Sequence, residues 1–412
     1  MKLNDNNNSG TVSGKKCPAL CRIFTKEHIF IFAFMIVIVI AISMWNRANP
    51  IDYSMYETDT LSHPKGTVVK IVEEELARND TERGRKLGYQ VLEVQITSGE
   101  YKGETITVKN DVTNTHHIIC EVGSRIIVKA DTPEGTEPYY SVYNYDHTKA
   151  MLLLFGVFAV LMVIIGKKKG FLSLCGLVFA MIVLLRFLLP AIFHGWQPIV
   201  ATVIAVSIIT FSSLMLLNGW NKKTRIAIIA SISGVVMAAI VYFIFAALLH
   251  LNGYNLESSE ELILIRENTG MGVADLLFVS IIISALGAIL DMAMSVVSSI
   301  FEIRKNAPEL SPTNLLKSGL SVGRDMIGTN CQTLILAFIG SSITTLLVVI
   351  SYGYQTNQLL NSDFIAIEML QGMTGSIAVI LSVPVASMLS AWVLGVHSGK
   401  VNSGENDEKM IE

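Results

Sequence analysis

Residues 276–300 read LLFVSIIISALGAILDMAMSVVSSI. The stretch is long and apolar enough to cross a bilayer as one helix, yet it carries an aspartate in its middle. Ser280, Ser284, Gly287, Asp291, Ser295, Ser298 and Glu302 follow one another at spacings of 4, 3, 4, 4, 3 and 4. Residues three and four apart share a helix face, so one face is small and polar and the rest is Leu, Ile, Val and Met. A carboxylate at bilayer depth costs at least ~2.5 kcal/mol on lenient insertion scales. The expectation is that Asp291 faces protein or water and that neighbouring helices shield it from lipid.

The rest of the chain agrees with a membrane setting. Of its 412 residues 51% are hydrophobic and only 16% charged, and the mean hydropathy is +0.51. A soluble domain carries nearer ~25% charged residues. A net charge of −3 gives no footprint for nucleic acid. Further apolar segments fall near 29–45, 150–166, 171–192, 198–218, 226–250, 328–352 and 373–395, which makes eight spans. The first is read as an uncleaved signal anchor, because its leader is long and no clean A-x-A site follows. Residues 1–28 read as a disordered cytoplasmic tail, and 396–412 as a second tail.

Residues 46–149 differ in kind. Short alternating stretches at 67–71, 91–96, 105–108, 125–128 and 139–143 are separated by Gly/Asn/Asp turns, the pattern of a small β-barrel or sandwich. The fold expected is an α-helical polytopic membrane protein, 150–395 forming a seven-helix domain, with this β domain between the first two spans. Seventeen Lys and Arg lie in the segments that are inside if the N-terminus is cytoplasmic, against Arg266 alone in the three short outside loops. Both termini are therefore expected in the cytoplasm of a bacterial plasma membrane, with residues 46–149 outside.

Few residues point to chemistry. Asp291 is either a proton, cation or solute site or a structural acid bonded to a neighbouring helix. Arg186 lies roughly 8 Å from it in depth at the helical rise, and either bridges to it or snorkels outward. Glu302, Arg304, Arg324 and Asp325 form an ion-pair cluster at the cytoplasmic ends or stand as solvated charges. The seventh span repeats small residues at Thr329, Thr333, Ala337, Gly340 and Thr344, the spacing of close helix packing, and adds the amides of Asn330 and Gln332. Pro384 should kink the last span.

Cys17 and Cys21 read as plain thiols, since zinc takes four ligands. Cys120 has no partner for a disulfide within its region. Cys175 and Cys331 read as packing residues. No Walker loop, G-x-S-x-G elbow or CxxC pair occurs, and His116, His117, His194 and His250 form no H-x-x-x-H pair on a helix, so no enzyme, metal or cofactor is expected.

The stretches Gly287-Ala-Ile-Leu-Asp291-Met-Ala-Met-Ser295 and Gly323-Arg-Asp-Met-Ile-Gly-Thr329, continuing to Thr333–Phe338, resemble the YibE/F family of bacterial multispanning membrane proteins. Gly99-Glu-Tyr-Lys-Gly-Glu104 and Val122-Gly-Ser-Arg125 extend the likeness into the β domain, and it covers roughly 60–395. The family pattern has Asn before Thr-Leu-Ile-Leu-Ala where this chain has Gln332, which changes any contact that amide makes. The resemblance implies a plasma-membrane protein with an external β domain, and no reaction.

Two functions follow. In the first, spans six and seven line a polar pathway for a small solute or ion, with Asp291, Ser284, Gly287, Ser295, Glu302, Asn330, Gln332 and Thr333 as its seam. In the second, the β domain binds an envelope protein and the helices relay or anchor. Membrane lipid is a partner in both. The halves show no internal repeat of the kind many transporters have.

Overall fold

A computed structural model describes residues 26–51, 60–79, 85–133 and 135–408. Most of the expected N-terminal tail, with Cys17 and Cys21, lies outside the described residues. The chain divides into two compact units, Tyr53–Met162 and the remainder.

The smaller unit is a closed barrel. Its strands are β1 Leu61–Ser62, β2 Lys65–Asn79, β3 Arg85–Ile96, β4 Thr105–Val112, β5 Arg125–Asp131 and β6 Tyr139–Tyr145. Apart from the short β1, which pairs only with β5, the order around the barrel is β2-β3-β4-β6-β5 and back to β2. All these pairings are antiparallel except β4 with β6. That order with one parallel seam is the arrangement of an OB-fold barrel.

Alternation builds it. Every second residue of Thr105–Val112 turns inward toward Leu92, Val94, Ile126, Val128 and Val142. The β2–β3 hairpin runs well past the expected 67–71 and 91–96, with pairing out to Asn79 and Arg85. Its outer part from Glu73 to Ala77 is led by three glutamates and is mostly exposed. A strand solvated on both faces has no apolar side, so it left no alternation to read.

Among the described residues, seven helices are long and apolar enough to cross a membrane. They are α1 Lys26–Ala48, the run from α2 Thr148–Ile182 to α3 Leu189–Phe193, α4 Pro198–Asn218, α5 Lys222–Leu249, α7 Leu276–Asn306, α8 Pro312–Ser351 and α10 Asp363–Glu408. The second holds 46 residues, about 69 Å at the helical rise and twice the hydrocarbon thickness. It breaks at Lys167, whose φ of 49° and ψ of −131° are not helical. Taking that break as a boundary restores the eight spans of the sequence. Two loops read as plain connections carry short helices, α6 Ser259–Thr269 and α9 Thr356–Leu360.

Local signals set the ends. Asn221 caps α5 by accepting from Thr224 N at 2.8 Å, and Ser311 caps α8 just before Pro312. Between α2 and α3 lies a π-helical turn, Val183–Leu188. Pro190 has no N–H for the carbonyl four residues back. That carbonyl, of Arg186, instead accepts from Asn46 Nδ2 of α1 at 2.8 Å.

The helical unit is organised on α10, which packs against α5, α7 and α8, while α7 also meets α4, α5 and α8. Small residues let the axes approach. A Cβ on Gly323 would lie 2.1 Å from Val383 Cγ1, one on Gly319 2.4 Å from Ile300 Cδ1, and one on Gly234 2.6 Å from Ile289 Cγ2. Pro384 sits inside α10.

Candidate functional site

α7 is two-faced. Its large apolar residues, Phe278, Ile281, Ile282, Ile289, Val296 and Ile300, are buried against α4, α5, α8 and α10. The polar stripe lies on the other side. Ser280, Ser284, Gly287 and Asp291 are exposed, as is Glu302 near the end, while Ser295 and Ser298 are half-buried.

Within the single chain, then, no neighbouring helix covers Asp291. The reason is packing: the bulky face of α7 fills the interior, so the stripe opposite is turned out. Spacing identifies a face, not what covers it. Ser280 and Ser284 donate to their own helix, at Leu277 O and Ile281 O, both at 2.9 Å. Ser280 also accepts from Gln371 Nε2 of α10 at 3.2 Å. Asp291 makes no hydrogen bond or ion pair among the described residues. It stands in the middle of 31 helical residues, about 22 Å from either end, too far for its short side chain to reach an interface.

The seam of α8 is turned outward too. Thr329, Gln332 and Thr333 are exposed and Asn330 is half-buried. Thr333 Oγ1 donates to Thr329 O at 2.8 Å. Arg186 is exposed and, among the described residues, forms no ion pair with Asp291.

The cytoplasmic cluster is divided. Arg304 donates to Leu310 O at 2.6 Å and closes the turn into α8. Glu302 is in electrostatic reach of Lys223 on α5. Arg324 and Asp325 are exposed and in no ion pair among the described residues.

Residues 154–396 match a family described as YibE/F-like protein, and residues 54–145 match the YibE/F family N-terminal domain. The chain belongs to the YibE/F family. No curated protein and no solved structure matches it.

In this YibE/F chain the polar groups buried between helices are ones the sequence did not single out. Thr374, Ser382, Ser387 and Ser390 of α10 are fully buried. Ser382 donates to Val379 O at 2.7 Å, whereas the hydroxyls of Thr374, Ser387 and Ser390 have no partner among the described residues. Their spacing was available in the sequence. A second acid was missed as well. Glu368 lies in the first turns of α10, and one carboxylate oxygen is buried without a hydrogen-bond partner. It lines a cavity of about 110 Å³ between α8 and α10 with Phe338, Ser342, Met369 and Met373. The span was expected from 373, but the helix starts at Asp363; Glu368 and Gln371 interrupt the apolar run and hid its beginning.

In the barrel, Gln90 and Asn110 are buried and linked. Asn110 Nδ2 donates to Gln90 Oε1 at 3.0 Å and to Ile118 O at 2.7 Å. Gln90 Nε2 donates to Glu74 Oε2 and to Cys120 O, and Gln90 Oε1 accepts from Cys120 N. The network ties the segment before β5 to the barrel wall. Burial pushes the Cys120 thiol up to about 11, so it is a packing group rather than a nucleophile.

Proposed function

We propose that this YibE/F chain is a transport-related plasma-membrane protein in which the polar faces of α7 and α8 serve a small solute or ion. The reading rests on one observation. Asp291 is exposed and unpartnered in the middle of a membrane-length helix. Exposure to lipid there costs ~2.5–3.5 kcal/mol, and intramembrane acids are retained where they face water, a solute or another helix. Ser284, Gly287, Gln332 and Thr333 supply small polar neighbours on the same two helices. No catalytic reaction is assigned. The charge asymmetry supports cytoplasmic termini and an external barrel.

A second reading is favoured by the barrel. β2 bulges between Val68 and Lys70 and again between Ile71 and Glu73, and the extra residues, Val69 and Val72, are 49% and 51% exposed. An exposed apolar strip on a sheet edge suits an envelope protein partner, and the chain would then be a sensor or adaptor. One experiment separates the two. Asp291→Asn in the full chain, expressed in a deletion strain, should abolish the uptake or efflux phenotype found by a solute and metal sensitivity screen, with normal accumulation in the membrane. A fully retained phenotype removes the transport reading and leaves the adaptor.

A further inference from the structure

We propose that two copies of this chain meet in the membrane through the outward faces of α7 and α8, with Asp291 of each inside the contact. The inference goes beyond the function above, since it holds whether or not anything crosses beside Asp291.

The exposed surfaces of the helices are unlike one another. α5 turns out Ile229, Ile232, Val236, Ile240, Ile244 and Leu248, and α10 turns out Met369, Met373, Ile380, Met388 and Trp392. These faces match hydrocarbon. α7 turns out Ser280, Ser284, Gly287 and Asp291. α8 turns out Arg324, Asp325, Thr329, Gln332 and Thr333 in its N-terminal half and the apolar Leu336, Ile339, Ile343 and Leu347 beyond them. In water an exposed polar face is ordinary. In lipid it is a surface still to be covered by protein or water.

Complementarity identifies the occupant as a second copy. α7 offers an acceptor, the Asp291 carboxylate, and beside it only the half-buried Ser295 hydroxyl as a donor. α8 offers donors: the Gln332 amide, the hydroxyl of Thr329 and the Arg324 guanidinium. They lie at the right depth. Ile300 of α7 sits against Gly319 of α8, and Ala285 and Leu334 both sit against Gly375. Counting along the antiparallel pair brings Asp291 level with Gly328, next to Thr329 and about one helical turn from Arg324 and Gln332. A two-fold axis along the bilayer normal keeps depths equal and makes each contact twice. The carboxylate of one copy then finds donors on its partner's α8. There is also room for approach. A Cβ on Gly287, Gly328 or Gly340 would meet nothing within 4 Å, and small residues are where membrane helices pack closely. Of α8's most apolar stretch only 11% is buried, the least of the seven.

The test uses the full chain in its native membrane, with the five native cysteines replaced and Gly287→Cys introduced. Oxidation with copper phenanthroline should give a disulfide-linked species at twice the chain mass of 45.1 kDa. Ile240→Cys on the lipid-like face of α5 should not. Ser284→Cys repeats the measurement if the first variant does not accumulate. Adding Asp291→Leu should lower the cross-linked fraction about threefold or more, the size of one interhelical hydrogen bond. The proposal is overturned if both cysteines label with a membrane-soluble maleimide yet give no dimer. It is overturned if the cross-linked product has the mass of a different protein, or if a charged thiol reagent reaches them from water without dimer formation. An Asp291→Leu chain that cross-links as well as its parent takes Asp291 out of the contact.

Discussion

The barrel and the helical unit treat polar side chains in opposite ways. In the barrel, Gln90 and Asn110 are buried and hydrogen-bonded to each other and to backbone, while the charges of the β2–β3 hairpin stand in water. In the helical unit, Asp291, Gln332 and Thr333 are on the outside, and the buried hydroxyls of α10 are partly without partners. The same degree of exposure thus carries opposite meaning in the two solvents. Where the solvent is water, an unpaired buried polar group is the anomaly. Where it is lipid, the anomaly is an exposed one. By that rule the barrel leaves one atom out of place, the buried and unpaired Asn110 Oδ1, whereas on the α7–α8 face the whole outward stripe is uncovered.

The largest effect that would sharpen this contrast is steric. Gly323→Leu in the full chain must place a side chain where Val383 already stands, with a bare Cβ at 2.1 Å. Overpacking of this kind costs ~1–3 kcal/mol and often more, so the detergent-solubilised protein should lose thermal stability sharply. Gly287→Ala, on the outward face, should change stability by no more than ~0.5 kcal/mol. A comparison of melting temperatures of the two variants checks it. Equal losses would mean that the outward face at Gly287 is as tightly packed as the inner one, against a second copy where the solubilised protein is dimeric and within the chain where it is a monomer.

This difference between the two glycines could not be read from the sequence. Gly287 and Gly323 each sit in a small-residue pattern, and both patterns were visible. What covers each pattern depends on the order in which helices surround α10, and helix period holds no record of that. The polar stripe containing Asp291 was legible because its spacing is regular; the side it faces was not. The start of α10 was hidden because Glu368 and Gln371 are costly in lipid, and an apolar window stops at them. The strands were legible where one face is buried, as in β4 and β5, and vanished where the hairpin is solvated on both faces. The barrel's closure by a parallel β4–β6 pair leaves no mark in alternation, so barrel and sandwich looked alike.

A smaller effect tests the barrel's half of the contrast. Residues 54–149 have their own core and should fold when expressed alone. Within that fragment Gln90→Leu removes the acceptor of Asn110 Nδ2 and Cys120 N together with the donor to Cys120 O. Buried groups left without partners cost ~1–3 kcal/mol. Urea unfolding followed by circular dichroism should show a lower midpoint at unchanged slope. No loss would mean that water reaches these groups and that the network is not sealed.

The smallest effect concerns a paired acid, the counterpart of the unpaired Asp291. Asp146 accepts from the Thr148 backbone N–H at 3.1 Å and from Lys65 Nζ at 3.0 Å. The Thr148 side chain and Lys65 hold its carboxyl down to about 2. A depressed folded value stabilises the fold above the ordinary carboxylate range, and that contribution fades as the pH falls from about 4 toward 2. The urea midpoint of the fragment should therefore drop over this window, and Asp146→Asn should flatten that part of the curve while leaving the shape above pH 5 unchanged. Because the Lys65 side chain is 40% exposed while that of Asp146 is only 8% exposed, salt should weaken the effect without abolishing it. A curve for Asp146→Asn that falls as steeply as the parent's would mean that other carboxylates govern acid unfolding. The Lys65–Asp146 pair would then be incidental to stability despite the burial of its acid, and Gln90 alone would carry the barrel's half of the contrast.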